Sequence, residues 1–347
     1  MMHASINRRW VLATCFLTLF GVPLGSAFES PTRVQFETHD TLHPTTDSEP
    51  DAQDCLDGLA WRPEPFSVTW EPDPESANRR IVSFPSPVPS GDATNDRVTM
   101  VWYPPFEQHA EQAKRPAVLV VHESGRAMPV GRLFARAFQA EGMHAFLIHL
   151  PYYGLRRGDA DRPEPDNLVT VIRQAIADVR RARDAIAVLP EVDASRIAVQ
   201  GTSLGGFVTS VAASLDRAYQ TTFVMLAGGN LYDVLIGEAR DAANFRRGLE
   251  RAGYEGDAIR QLLWQIEPTR VAHRLDPQRT WLYTAKDDDV VPMESALALA
   301  RTAGLSDDHH VRMAGGHYTA IIHFASIVRQ VAEHIRDAQP LQIDRPR

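Results

Sequence analysis

A serine flanked by glycines follows a short apolar run near the middle of the chain. Residues 201–206 read Gly-Thr-Ser-Leu-Gly-Gly, directly after the run Arg-Ile-Ala-Val-Gln at 196–200. This G-x-S-x-G pattern is typical of a nucleophile elbow, a tight strand-to-helix turn that presents a serine hydroxyl. Glycines are expected on both sides because larger side chains would collide with neighbouring backbone. The pattern predicts Ser203 as a nucleophile, although the motif alone is short enough to arise by chance.

A serine hydroxyl is a weak nucleophile at neutral pH, so the chain must also supply a base and a carboxylate. In an open parallel sheet these groups lie beyond the carboxyl ends of strands. The strand-like run at 280–284 is followed by a turn with three aspartates, 287–289, and the run at 310–313 is followed by Ala-Gly-Gly-His. The sequence therefore places a carboxylate-rich turn and His317 where an acid and a base are required.

In order and position, these three motifs resemble the α/β-hydrolase superfamily, in its dienelactone-hydrolase-like or prolyl-oligopeptidase-like branches, over roughly residues 79–337. The resemblance implies that Ser203 is the nucleophile and His317 the base. It also implies that Asp288 is the acid, because Asp288 begins the pattern D-x-x-V-P. The aspartates on either side remain flanking candidates. Asp233, beyond the strand-like run that ends at 226, is a backup acid because some family members place the acid there.

Backbone N–H groups must also stabilise the oxyanion of the tetrahedral intermediate. The resemblance implies one donor at Leu204, directly after the nucleophile. A second donor is expected in the loop at 122–126, which reads His-Glu-Ser-Gly-Arg and is similar to the family's H-G-x-G loop. Ser124 is the expected donor in that loop.

Glu123 departs from the family pattern because it stands where the first glycine is expected. A carboxylate near a developing oxyanion would destabilise it unless the carboxylate is turned away or paired. Dienelactone-hydrolase-like members carry a glutamate at this loop position, and Arg126 could neutralise its charge. We therefore expect Glu123 either to have a structural role or to tune the nucleophile.

Alternating strand-like and helix-like segments surround these motifs. Two strands, 79–84 and 96–103, are predicted to form an antiparallel edge, and the later alternation is typical of parallel strands with helical crossovers. The later predicted strands cover 117–122, 145–150, 197–200, 222–226, 280–284 and 310–313, and the helices cover 130–141, 167–188, 293–301 and 319–336. We expect the α/β-hydrolase fold, with a mostly parallel eight-stranded sheet and helices on both faces. Residues 230–275 are expected to be a helical cap insertion over the site.

The first 27 residues are predicted to be a signal peptide. Two arginines precede the apolar stretch 10–24, and Gly-Ser-Ala at 25–27 provides the small residues of a cleavage site. This stretch is shorter than the roughly 20 residues of a spanning helix. The mature protein is therefore expected to be periplasmic or secreted, without a stable membrane span. An uncleaved anchor is the alternative, and both Sec and twin-arginine export remain open.

The chain between the signal and its end is predicted to have three parts. Residues 28–78, rich in Pro and acidic residues, are expected to be extended or poorly ordered. Residues 79–338 form the catalytic domain, and 339–347 a C-terminal tail. Cys55 would be the one cysteine left after signal cleavage, so no internal disulfide is expected.

Composition disfavours several other classes of protein. The 347 residues carry 36 basic and 44 acidic side chains, a net charge of −8, which gives little electrostatic support for a nucleic-acid partner. No cysteine or histidine cluster has metal-ligand spacing, so no metal or cofactor is expected. His122 and His149 are expected to be packed, hydrogen-bonded histidines, and His323 to lie on the last helix.

The sequence thus predicts an exported serine hydrolase that acts on a small-molecule carboxylic ester through an acyl-enzyme on Ser203. A peptidase or amidase is one alternative, although the segment before the first predicted strand is too short for the propeller domain common in that branch. A catalytically silent binding protein that keeps the fold is another. The sequence leaves the oligomeric state open.

Overall fold

A computed structural model describes residues 33–43, 46–106, 114–158, 167–237 and 240–342. Within these ranges, ten strands form one sheet in the spatial order β1-β2-β3-β4-β6-β5-β7-β8-β9-β10. The strands are β1 (Val34–His39), β2 (Pro65–Asp73), β3 (Ser76–Pro85), β4 (Arg97–Tyr103), β5 (Arg115–Val121), β6 (His144–Ile148), β7 (Val192–Thr202), β8 (Thr222–Met225), β9 (Thr280–Ala285) and β10 (His310–Met313). The pairs from β1 to β6 in this order are antiparallel, and those from β6 to β10 are parallel.

Helices cover both faces of this sheet. The α-helices are α1 (Pro50–Leu59), α2 (Ala93–Asp96), α3 (Pro129–Ala140), α4 (Leu168–Ala187), α5 (Leu204–Asp216), α6 (Leu231–Ile236), α7 (Arg240–Arg251), α8 (Asp257–Trp264), α9 (Met293–Thr302) and α10 (Phe324–Asp337), with 3₁₀ turns at Gly154–Arg156, Pro268–Arg270, Ala272–Arg274, Asp307–His309 and Thr319–His323. In β5, Leu119 packs in a core with α4 and α5, whereas Val120 packs with α3 and α10. This alternation follows from the two-residue period of a strand.

The predicted α/β-hydrolase sheet is confirmed in its order of elements, and the eight predicted strands correspond to β3–β10. Their number is wrong, because β1 and β2 extend the sheet to ten strands within the described residues. Both lie in the segment 28–78, which also contains α1 and which the sequence predicts to be extended or poorly ordered. The residues of β1 alternate between half-buried and exposed. Such an edge strand contains too few apolar residues to be recognised from periodicity.

Buried ion pairs attach this N-terminal segment to α4. The Arg181 guanidinium donates to both carboxylate oxygens of Asp40, at 2.9 and 2.5 Å, and both side chains are fully buried. One residue further, the backbone N–H and the hydroxyl of Thr41 both donate to the Asp184 carboxylate. Removing one partner of a buried pair would leave an uncompensated charge. These contacts therefore fix where the segment lies, although their partners are about 140 residues away in sequence.

The insertion at 230–275 is helical, as predicted, in its described parts. Glu267 accepts hydrogen bonds from the N–H groups of Asn230 and Leu231 at the start of α6. Arg270 pairs with Asp51 of α1 at 2.8 Å. The insertion thus packs against the N-terminal segment.

The predicted signal peptide, residues 1–27, lies outside the described residues, as do 28–32 and the end of the predicted tail, 343–347. None of the helices in the described ranges combines the length and the apolar character that crossing a membrane requires.

Candidate active site

Ser203 lies at the sharp turn between β7 and α5. Its backbone has φ 52° and ψ −115°, a conformation that is rare outside glycine and costs on the order of 1–3 kcal/mol. The Ser203 N–H donates to the Met225 carbonyl of β8 at 2.8 Å, which holds the turn. A Cβ at Gly201 would lie 2.2 Å from the Gly205 carbonyl oxygen, and a Cβ at Gly205 would lie 2.2 Å from that of Val121. The turn therefore has the elbow geometry that the sequence predicts, and backbone packing requires both glycines.

A series of hydrogen bonds joins the three residues that the sequence singles out. The Ser203 hydroxyl lies 3.2 Å from His317 Nε2, and His317 Nδ1 lies 2.9 and 3.1 Å from the two carboxylate oxygens of Asp288. His317 is 8% exposed and the Asp288 side chain 3%. When Nδ1–H donates to the carboxylate, the lone pair of Nε2 faces the hydroxyl. This arrangement can move a proton from the hydroxyl to the imidazole.

The turn after β9 fixes the Asp288 carboxylate. Asp288 Oδ1 accepts hydrogen bonds from the N–H groups of Val290, at 2.9 Å, and Val291, at 2.8 Å. The flanking candidates Asp287 and Asp289 are exposed. Asp233, the backup acid, is exposed in the first turn of α6. Of the four carboxylates that the sequence offers, the structure brings Asp288 to the imidazole.

The sequence expects oxyanion donors at the backbone N–H groups of Leu204 and Ser124. Leu204 is the first residue of α5, a position where the amide has no acceptor within the helix. Ser124 lines the same cavity as Ser203. Leu204 thus follows Ser203 at the start of α5 and Ser124 shares its cavity, and their role as oxyanion donors stays a prediction.

Glu123 is held by the N-terminus of α3. One carboxylate oxygen accepts from the Val130 N–H and the other from the Gly131 N–H, each at 2.9 Å. The helix end thus satisfies the negative charge with backbone donors. Arg126 is exposed, and the described residues contain no ion pair between it and Glu123, so the N–H groups of α3 and not Arg126 meet the Glu123 charge. The contacts with α3 favour the structural role over the tuning role.

His122 stabilises the same loop through two hydrogen bonds. Its Nδ1–H donates to the Glu123 carbonyl at 2.6 Å, and its Nε2 accepts from the Leu150 N–H at 3.2 Å. Burial lowers the pKa of His122 to about 4, because the charged imidazolium would lose its hydration. His149 is also packed: its Nδ1 accepts from the Leu155 N–H, and burial lowers its pKa to about 3. Both are hydrogen-bonded structural histidines, as predicted.

A hydrogen bond of His323 supports the loop that carries His317, and no sequence motif indicates it. His323 Nε2 donates to the Ala314 carbonyl at 3.0 Å, and Ala314 begins the loop that ends at His317. His323 lies in the 3₁₀ turn before α10, close to its expected place on the last helix. It therefore ties that turn to the loop that carries the imidazole.

The Ser203 hydroxyl and the His317 imidazole open into a cavity of about 280 Å³. Its wall is mostly apolar and comes from α3, from the ends of β8 and β10, and from the helical stretch after His317. The apolar residues include Val130, Phe134, Met225, Met313, Phe324 and Ile327. None of the described residues of the 230–275 insertion lines it, so the expected lid over the site is not found there. The insertion contacts α1 and α9 instead, through Arg270 and through α6.

Comparisons with known proteins give the same fold. The model of the prolyl oligopeptidase family matches residues 173–321. Acetyl xylan esterase from Paenibacillus sp. R4 is 17% identical with a TM-score of 0.60, over 86% of this chain and 98% of that one. Acetyl xylan esterase 1 from Thermoanaerobacterium sp. JW/SL YS485 is 14% identical with a TM-score of 0.59, over 82% and 92%. A puromycin-hydrolyzing peptidase of Mycobacterium tuberculosis is 15% identical with a TM-score of 0.52, over 80% and 47%.

A comparison of the sequence with curated proteins finds no match. The solved structures, at these identities, show the fold, and the chain has the α/β-hydrolase fold that its motifs resemble. The family match spans the elbow, Asp288 and His317. Together these likenesses support a hydrolase of ester or peptide bonds.

Proposed function

We propose that this chain, an α/β-hydrolase by fold, is a serine hydrolase that cleaves carboxylic esters. The observation that carries the proposal is the continuous series of hydrogen bonds from Ser203 through His317 to Asp288. Ser203 and His317 also line a mostly apolar cavity. Those groups supply the nucleophile, the base and the orienting carboxylate that acyl transfer needs. An uncharged acyl group suits the apolar wall.

The reaction begins with proton transfer. His317 Nε2 accepts the hydroxyl proton while Ser203 Oγ attacks the carbonyl carbon of the ester, and Asp288 stabilises the imidazolium that forms. The imidazolium then gives this proton to the alcohol oxygen as the bond between carbonyl carbon and alcohol oxygen breaks. The alcohol leaves and the acyl group remains on Ser203. His317 then takes a proton from a water molecule as the water oxygen attacks the acyl carbon, and it returns this proton to Ser203 Oγ as the bond between acyl carbon and Oγ breaks and the acid leaves.

The oxyanion of each tetrahedral intermediate is assigned to the backbone N–H groups of Leu204 and Ser124. One such donor contributes roughly 3 kcal/mol to transition-state stabilisation in a water-excluded site. Glu123 has a positioning role in this scheme, since its carboxylate ties the loop that carries Ser124 to α3. With each oxygen bound to a helix N–H group, its charge is stabilised by α3.

A peptidase or amidase is the second candidate. It is favoured by the match of residues 173–321 to the prolyl oligopeptidase family, and one structural neighbour is a puromycin-hydrolyzing peptidase. The ester is preferred because an alcohol is an easier leaving group than an amine, and two of the neighbours with the higher TM-scores are acetyl xylan esterases.

Export from the cytoplasm, through the signal at 1–27, is part of the proposal.

The test compares the full-length protein with Ser203→Ala on p-nitrophenyl butyrate and on the matching p-nitroanilide. We expect hydrolysis of the ester, slower hydrolysis of the anilide, and a loss of at least about 10⁴-fold in kcat for the variant. Equal rates on both substrates would favour the amidase. Absence of hydrolysis in the wild-type protein would favour the binding protein.

A further inference from the structure

The part of the Ser203 cavity that lies between α3 and α10 is apolar; we call it the acyl pocket and define it by Val130, Phe134, Met313, Phe324 and Ile327. Val130 and Phe134 are four residues apart on α3, so they share one helix face, and the same holds for Phe324 and Ile327, three apart on α10. The rings of Phe134 and Phe324 meet edge to face at 5.0 Å between centroids. The two helix faces therefore form one continuous wall.

The acyl pocket offers no partner for a charged group. Among the described residues that line the whole cavity, Glu123 is the one carboxylate, and α3 N–H groups occupy both of its oxygens. The described lining contains no lysine or arginine. An ionised acyl group would lose its hydration there without compensation. The occupant is therefore uncharged and apolar.

The volume of the cavity sets the length of this occupant. A water molecule takes up about 30 Å³ in the liquid and a methylene group is of similar size, so 280 Å³ has room for about nine non-hydrogen atoms. Three of them belong to the ester group, which leaves room for about six carbons. An acetyl group would fill only a small part of this volume.

We infer that the acyl group of the substrate is an uncharged aliphatic chain of about four to eight carbons, and that Ile327 and Phe134 limit its length. This inference rests on the proposed ester hydrolysis at Ser203. It goes further by separating this chain from an esterase for acetyl groups. Ile327 lies one turn beyond Phe324 along α10, whereas Val331, a further turn on, is in the core and does not line the cavity. Ile327 is therefore the last residue of α10 to line the cavity.

The experiment measures kcat/KM of the full-length protein on p-nitrophenyl esters of two, four, six, eight and twelve carbons. Each methylene that enters the acyl pocket is expected to raise kcat/KM about fourfold, up to about six carbons. The twelve-carbon ester is expected to be hydrolysed at least about tenfold more slowly than the best substrate, because its chain exceeds the pocket.

Two substitutions at one position move the optimum in opposite directions. Ile327→Phe shortens the pocket and shifts the optimum toward two carbons, whereas Ile327→Ala lengthens it and shifts the optimum toward longer chains. Ile322→Phe is the matched control, because Ile322 is 74% exposed and does not line the cavity. Its chain-length profile is expected to equal that of the wild type. If Ile327→Phe fails to fold, the chain-length optimum of Ile327→Ala still tests whether Ile327 limits the acyl chain.

The outcomes separate this inference from the function on which it rests. Hydrolysis that depends on Ser203 but is fastest on the acetyl ester, with the same profile in both Ile327 variants, overturns the inference and leaves the function intact. Hydrolysis that persists in Ser203→Ala, or no hydrolysis at any chain length, overturns the proposed function and the inference with it.

Discussion

Two carboxylates lie at the same edge of the sheet, and each accepts two backbone N–H groups. Asp288 takes both of its N–H donors on one oxygen, which leaves the other free to bind His317. Glu123 takes one donor on each oxygen, so both oxygens are engaged by α3. The role of an acidic residue near a nucleophile therefore depends on whether a carboxylate oxygen remains available once the backbone N–H groups are bound. Asp288 orients a base, and Glu123 orients a loop.

Of the changes to these two carboxylates, Asp288→Asn should have the largest effect on rate. The Asn carbonyl oxygen can still accept from Val290 and Val291, so the turn is retained. Its NH₂ group then faces His317 Nδ1 and forces the proton onto Nε2, the wrong tautomer for a base. We expect kcat to fall by about 10³–10⁴-fold with little change in melting temperature. Steady-state kinetics and thermal unfolding of the same preparation check both. Activity within tenfold of wild type would show that Asp288 does not orient the base.

Glu123→Ala should have a smaller effect on rate and a larger one on stability. It leaves the N–H groups of Val130 and Gly131 without their carboxylate, which costs about 1–2 kcal/mol. Release of the loop is expected to misplace the Ser124 N–H and lower kcat by about 10–100-fold.

Glu123→Gln is the matched control for that variant. Its amide oxygen retains one of the two helix contacts, so kcat is expected to stay within about tenfold of wild type. The pH profile of kcat/KM should be unchanged. A shifted profile in Glu123→Gln would instead assign the carboxylate to tuning of the nucleophile and would undo the contrast with Asp288.

The last prediction concerns stability: acid weakens the fold at the Glu123 loop through His122. An unfolded histidine has a pKa near 6.5, whereas burial lowers that of His122 to about 4. The unfolded state therefore binds the proton first, so the free energy of unfolding is retained above about pH 6.5 and falls as the pH drops toward 4. The full loss is roughly 3 kcal/mol for this group, of which roughly 2 kcal/mol is lost by pH 5.

Urea unfolding at pH 7 and pH 5 measures this dependence. His122→Asn keeps a donor for the Glu123 carbonyl and removes the titrating group. It should be less stable at pH 7, because the Leu150 N–H loses its acceptor, but its stability should fall less between the two pH values. An equal fall in both proteins would show that His122 does not contribute.

Sequence reasoning found the site because each group follows a strand directly. Ser203, Asp288 and His317 all stand in short motifs whose glycines, proline and spacing are local, and strand ends converge at one sheet edge. The partners of Glu123 could not be found in this way. Nothing in the local sequence tells whether a carboxylate will meet Arg126 or the helix seven residues ahead.

The parts that were missed depend on distant contacts. β1 and the following Asp40 are placed by Arg181, 141 residues away, and an edge strand with half-exposed residues has no strong pattern of its own. The insertion was recognised as helical from its composition, but its docking depends on pairs such as Arg270 with Asp51. Local periodicity gives the element and its type, whereas such pairs decide which surface it covers.

Covalent labelling of Ser203 tests the central claim most directly. The folded full-length protein is treated with a fluorophosphonate, digested, and examined by mass spectrometry, with Ser203→Ala and heat-unfolded wild type as controls. We expect one phosphonylated residue, Ser203, in the folded wild-type protein and no adduct in either control. An unmodified Ser203 in active protein, or the same adduct on another residue in Ser203→Ala, would contradict it.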